Sequence, residues 1–405
     1  MIRIEDRYFS LNRVLLQLVG LWPYQKSKFV RLQLICFFII QITFIMAQLT
    51  IFMTAKCTAD LVIKIFSLTF GIICLTITYN SFVVNSENVK YLIEQVEQIC
   101  DDLKDKNEIA IVEKYIEAMQ NFIVYYLLLN NINVFLNVCC LVLSGSVGFI
   151  LAGIELWPDF QDLFFSVNKS RTRHLLIETE YFIDQEKYFY LLLFHINASF
   201  FIGVLTLLAT GTMLHAYLQY ACGMFKIASY RMENTMKIYI SQDFNLRNKN
   251  FVQEGIIYAV DIHRKAMKFS DYLISSFEVS FMFLIVFGVL TLSLNILRIT
   301  SLKFNNGEII IPLIAFVSCF LYMFLTNFTG QEITNHYNYL FVAAYNAQWY
   351  MVSLHIQRLI LLLLQRSNKS FGLNIGGMYV ASIKFFATLM NTSMSYFTVL
   401  YSMQQ

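Results

Sequence analysis

The chain has 405 residues, of which 57% are hydrophobic and 14% charged, with a mean hydropathy of +0.56 and a formal net charge of +3. Soluble domains average about 45–50% apolar and about 25% charged residues, so this composition excludes ordinary soluble domains and points to a membrane protein. The near-neutral balance gives no nucleic-acid signal, and only three prolines interrupt the helices that such a chain needs.

The first segment, residues 1–28, mixes charges and lacks the apolar core and small-residue cleavage site of a signal peptide. An α-helix crosses hydrocarbon in about 20 residues. Seven apolar stretches reach that length: 32–54, 61–84, 122–154, 188–214, 273–297, 309–328 and 375–401. The first is expected to act as an uncleaved anchor, and the third is long enough to tilt or to run on beyond the bilayer. The connection 155–187 contains Asn168-Lys169-Ser170, a glycosylation sequon on the side expected to be extracellular. The segments on the opposite side are charged yet periodic. Val89, Leu92, Ile93, Val96, Ile99 and Cys100 follow helical spacing, as do Ile109, Val112, Ile116 and Met119. Residues 224–272 repeat the pattern through Ala228, Met232, Met236, Ile256, Val260 and Met267, and Leu273 continues it. In 332–364, Tyr345, Trp349 and Val352 precede an apolar run from Leu359 to Leu364, too short for an eighth crossing. These segments are expected to form a cytoplasmic helical bundle that joins subunits.

About 20 Lys and Arg fall in the segments on the N-terminal side and about 7 on the other. The positive-inside rule then puts the N-terminus in the cytoplasm and the C-terminus outside, opposite to a G-protein-coupled receptor. Asp6-Arg7-Tyr8 spells a tripeptide of that class, but it precedes the first stretch, and the last stretch carries no Asn-Pro-x-x-Tyr. Most of the eight cysteines lie within the apolar stretches, and the six histidines have no metal-ligand spacing. Phosphate loops and nucleophile elbows are missing, so no enzyme, metal or cofactor is expected.

Polar residues inside a membrane are costly and therefore candidates. Asn130, Asn131, Asn133 and Asn137 either line a cavity or bond neighbouring helices. The last stretch opens with Gly376-Gly377 and carries Ser382, Thr388, Asn391, Thr392, Ser393, Ser395, Thr398 and Ser402. That suits a pore-lining helix repeated around a symmetry axis, with close helix packing as the other account. Lys384 is expected to point away from such an axis, because an ammonium there would repel cations. The outer halves of four stretches supply Phe66, Phe70, Ser144, Gly148, Phe194, Asn197, Phe316 and Phe320, a candidate lining for a small volatile or lipid-like ligand.

Ala343-Ala344-Tyr345-Asn346-Ala347-Gln348-Trp349-Tyr350 resembles the A-A-Y-x-x-x-W-Y signature of insect odorant receptors. Residues 359–370, then Lys384-Phe385-Phe386, and then Thr392-Ser393-Met394-Ser395-Tyr396-Phe397-Thr398-Val399-Leu400 continue the resemblance in order. Glu180-Tyr181-Phe182-Ile183-Asp184-Gln185 is similar to the tuning receptors of ants, bees and wasps. The connection between the fourth and fifth stretches is too short for the co-receptor's inner insertion, which implies a ligand-tuning subunit.

The resemblance implies an all-α membrane protein with seven transmembrane helices, a cytoplasmic N-terminus, an extracellular C-terminus and an inner anchor bundle. It divides the chain into six helices with an outer-half ligand pocket (1–330), a cytoplasmic anchor helix (331–372) and a pore-lining last helix (373–405). It further implies an odorant-gated non-selective cation channel, assembled with an odorant co-receptor subunit as a heterotetramer. The expected setting is the plasma membrane of an olfactory sensory neuron dendrite. The gate would fall on Val399, Ser402 and Met403, where the co-receptor has Gln in place of Ser402. Tyr345, Trp349 and Tyr350 would serve the subunit anchor. The alternative is a metabotropic G-protein-coupled chemoreceptor; a transporter would carry paired repeats and broken helices.

Overall fold

A computed structural model of the protein describes residues 9–103, 105–124, 175, 177–241, 249–301, 309–367 and 369–404. The described chain is almost entirely helical. A short amphipathic helix α1 (Ser10–Leu18) is followed by α2 (Lys28–Leu49), which one further turn, Ile51–Thr54, extends. Then come α3 (Ala59–Val84), α4 (Ser86–Asp102) and α5 (Lys106–Val124). Two helices of 53 residues each follow, α6 (Phe189–Ser241) and α7 (Lys249–Ser301). After them stand α8 (Ile310–Tyr337), α9 (Tyr339–Asn346), a 3-10 turn at Trp349–Met351, α10 (Leu354–Ser367), a two-stranded hairpin, and α11 (Ile383–Gln404).

Five described helical segments are long and apolar enough to cross a membrane: Lys28–Thr54, Ala59–Val84, Phe189–Ile240, Asn250–Ser301 and Ile310–Asn346. The third expected crossing, 122–154, lies outside the described residues except for its first three, which end α5. The seventh, α11, spans 22 residues but is more polar than the others. At about 1.5 Å per residue, α6 and α7 are each roughly 80 Å long, far more than the ~30 Å hydrocarbon core. They pack along one another more extensively than any other described pair, and α3, α8 and α11 lean on α7.

The periodic faces of 86–100 and 224–273 pack as their spacing implies, while the side chains of Ile116 and Met119 lie outside the described residues. Val89, Leu92, Ile93, Val96 and Ile99 of α4 are buried, as are Ala228, Met232 and Met236 of α6 and Ile256 and Leu273 of α7. They belong to one large core that also takes in Leu16, Phe225, Tyr337, Ile356 and Ile360. Smaller cores sit nearer the other end, one around Phe44, Ile72 and Ile196 and one joining Leu292, Met323 and Leu389. The outward face of α2 is apolar instead, with Phe29, Leu32, Ile35, Ile39 and Met46 exposed, a surface suited to lipid.

One element differs from expectation. The seventh helix starts at Ile383, not at 375, and Gly376-Gly377 do not open it. Asn374–Ile375 pair antiparallel with Tyr379–Val380, and the two glycines turn the hairpin with φ of +64° and +68°. Left-handed φ at both central residues is a turn geometry that Gly-Gly permits. Ser382 then caps α11, its hydroxyl accepting from the Phe385 N–H at 3.1 Å.

Candidate functional site

A cavity of about 180 Å³ opens between α3, α6, α7 and α8. On α3 its wall includes Ser67, Gly71, Cys74 and Thr78, spaced four, three and four residues apart so that they share one face, with Leu68, Ile72 and Leu75 beside them. Phe200 and Val204 of α6, Gly288 and Thr291 of α7, and Ile314 and Ser318 of α8 are among the residues that line it from the other helices. Its hydroxyls are largely committed locally: Thr78 donates to the Cys74 carbonyl and Thr291 to the Phe287 carbonyl. The cavity is therefore apolar in effect, with few groups able to fix a polar ligand.

The expected aromatic residues stand beside this wall, not on it. Phe66 and Phe70 stack at 5.3 Å between ring centroids, one residue round the helix from Ser67 and Gly71, and Phe70 meets Phe287 at 5.6 Å. Phe316 and Phe320 turn toward α11, where Phe320 meets Phe386 edge-on at 5.3 Å. Asn197 bonds its own helix at the Leu193 carbonyl, and Phe194 is 75% exposed on the outside of the bundle. Ser144, Gly148, the asparagines of 130–137 and the Asn168 sequon lie outside the described residues. The small residues of α3 were the legible signal, since their helical repeat is plain in the sequence. Arg298 is a further surprise: it is buried, and its guanidinium donates to the Ser67 hydroxyl at 3.3 Å on the cavity wall.

On α11, Leu389 and Ser393 are buried, Ser393 against α7 through a 3.0 Å bond from the Ser293 hydroxyl to its carbonyl. Opposite them, Lys384, Thr388, Asn391, Ser395, Thr398 and Ser402 are all exposed. Their spacing of four, three, four, three and four draws one stripe along the whole helix. Lys384 thus shares the polar face instead of pointing away from it. Val399 (55% exposed) and Met403 (80%) flank the stripe at the far end, with Tyr396 and Tyr401 exposed nearby. That end is tied down by Gln404, which donates to Asp60 at 3.0 Å and accepts from the Ser301 hydroxyl at 3.3 Å.

In the inner bundle, Glu108 of α5 receives two bonds from Arg231 of α6, at 2.6 and 2.8 Å, and the same guanidinium donates to the Tyr258 carbonyl of α7 at 3.2 Å. One side chain therefore ties three helices, reaching back 123 residues to Glu108 and forward 27 to Tyr258. Tyr115 bonds His336 at 2.8 Å, and burial raises the Tyr115 phenol above its ordinary range. Burial likewise pushes the Cys100 thiol up to about 11, against a smaller opposing effect of the Tyr220 hydroxyl. Tyr345, Trp349 and Tyr350 remain 63%, 37% and 62% exposed, beside exposed Leu354, Leu361 and Leu362.

A sequence model of the family described as 7tm Odorant receptor matches residues 58–394. Odorant receptor 33b of Drosophila melanogaster is 24% identical over 149 residues, which span 37% of this chain and 39% of that receptor. The structure of the insect olfactory receptor OR5 from Machilis hrabei is similar with a TM-score of 0.76 and 14% identity, over 98% of this chain and 97% of that one. The same receptor in complex with eugenol gives 0.75 and 13%, over 98% of each. At such identities the structural likeness speaks for the fold.

Proposed function

The chain belongs to the 7tm Odorant receptor family, and from that premise we propose that it is the ligand-tuning subunit of an odorant-gated, non-selective cation channel. The observation that carries this reading is the stripe on α11. A helix buried on one side and lined from end to end with exposed hydroxyl and amide groups on the other is poorly suited to lipid. It is well suited to water around a symmetry axis, where copies of it from several subunits would line a pore.

In this reading Val399, Ser402 and Met403 form the gate at the extracellular end. The exposed aromatic and leucine face around Tyr345, Trp349, Tyr350 and Leu354 meets other subunits of a heterotetramer that includes an odorant co-receptor. The basic inner bundle faces the cytoplasm of a plasma membrane. The cavity behind Ser67, Gly71 and Thr78 takes a small, mostly apolar odorant; the eugenol complex of the similar receptor is in keeping with a ligand of that size. The odorant opens the channel by binding better to the state in which α11 is displaced outward, and it shifts the equilibrium only by that difference in affinity. The cavity borders α7 and α8, both of which touch α11, so a change of wall packing reaches the pore helix through those two contacts.

The test is whole-cell current in cells expressing the chain with and without an insect odorant co-receptor, with nucleotide signalling blocked, during an odorant panel. A rapid cation current that needs both proteins, and that changes when Val399 or Ser402 is replaced, is the expected result. A response abolished by the block overturns the channel reading in favour of a metabotropic receptor.

A further inference from the structure

We propose that a second cavity, nearer the inner bundle, is a modulatory site for a small, uncharged, apolar molecule, and that its occupant holds the pore helix closed. The cavity measures about 190 Å³. Its walls include Leu208 and Gly211 of α6, Ile285 of α7, and Phe385 and Leu389 of α11. It shares Leu207, Leu284, Tyr322 and Met323 with the outer cavity. The two differ in what else they touch. No α3 residue lines the inner one, and no α11 residue lines the outer one, among the described residues.

The chemistry of the wall sets the ligand class. Thr212 donates to the Leu208 carbonyl, Thr326 to that of Tyr322 and Thr329 to that of Leu325, each within its own helix. Asn327 donates to the Met323 carbonyl and accepts from the Ser382 N–H. These groups are spoken for, which leaves His215 and Tyr322 as the other polar side chains on an otherwise largely apolar wall, so an occupant gains little from carrying more than one polar atom. An apolar cavity of about 150 Å³ stays dry and accepts benzene, so this one admits a single aromatic ring or an alkyl segment of similar bulk. That chemistry is met by a free volatile or by a lipid acyl chain.

The sign follows from placement. Leu389 is buried on the side of α11 opposite Thr388, Asn391 and Ser395. An occupant against it sits behind the helix and fills the space into which outward displacement would carry it. This sign rests on the channel reading above; the binding does not.

The cavities carry matched probes. A Cβ built at Gly71, in the outer wall, or at Gly211, in the inner wall, meets nothing within 4 Å. The experiment is 19F NMR of fluorobenzene with the purified full-length assembly in lipid nanodiscs, in competition with unlabelled benzene. It compares wild type, Gly71→Leu, Gly211→Leu and the double variant. Two saturable bound signals are expected in the wild type, with each leucine removing one and the double variant neither retaining nor gaining any. Gly211→Leu without effect on binding overturns the proposal. Should that variant not fold, Gly211→Ala keeps the test, and an unchanged affinity at every site counts against the proposal. Removing lipid distinguishes the sources: the inner signal grows if an acyl chain occupies the site and stays constant if a free molecule does, while its absence in both preparations overturns the site. In the current assay, fluorobenzene and Gly211→Leu each lower the maximal odorant response; a raised maximum overturns the sign. Complete absence of channel current would remove the function proposed above and leave the two binding signals standing.

Discussion

Replacing Glu108 by Ala removes one partner from a clamp that the sequence does not advertise. Glu108 and Arg231 have side chains only 8% and 22% exposed. The variant deletes two charge-assisted bonds, each worth roughly 1.5–3 kcal/mol net, and leaves the guanidinium with its 3.2 Å bond to the Tyr258 carbonyl. Losing one member of a buried pair costs about 3–5 kcal/mol. Arg231 is partly reachable by water, which places the expected loss at the low end, about 3 kcal/mol. Arg231→Met alone strands Glu108 and should cost a similar amount. The double variant should cost less than the sum of the two by about 2 kcal/mol, since neither charge is then left unpaired. Equilibrium unfolding of the purified full-length protein in mixed micelles measures all three. A single-variant loss below about 1 kcal/mol, or strict additivity, would refute the clamp.

Other outcomes can be checked independently. Gly330→Ala puts a methyl 2.5 Å from the Ala381 Cβ and 2.7 Å from its carbonyl oxygen, so stability should fall by about 1–3 kcal/mol where helix propensity alone would raise it; a gain in thermal midpoint would contradict the close approach of α8 to the start of α11. Lys384→Gln should raise single-channel cation conductance. A screened ammonium about 10 Å from the permeating ion costs roughly 0.1 kcal/mol, or about 1.2-fold per substituted subunit, and unchanged conductance would place Lys384 off the pathway. Cys57 is exposed whereas Cys100 is partly buried with its thiol pushed up to about 11. The thiolate is the reactive form, so maleimide should label Cys57 first, and Cys100 labelling should rise about tenfold per pH unit up to about pH 11; equal rates at pH 7 would argue against that burial.

Local pattern carried much of the architecture. Apolar runs of spanning length, and faces such as Val89, Leu92, Val96 and Ile99, are set by neighbours three or four residues away along one helix, so they can be read before folding. The hairpin has a local signal too, because Gly376-Gly377 is a turn pair, but the apolar residues around it read as the start of the last helix. The cavity was not. Adjacent helical residues point about 100° apart, and whether Phe66 or Ser67 faces the interior depends on how α3 is rotated against α6, α7 and α8. That rotation is settled by packing between segments far apart in sequence. The same holds for Glu108 and Arg231, which only the docking of α5 on α6 brings together. On α11 the sequence by itself determined that hydroxyls recur; burial of Leu389 and Ser393 against α7 and α8 decided that Lys384, Asn391 and Ser402 share the side left open, because a helix has one rotation that satisfies its apolar contacts.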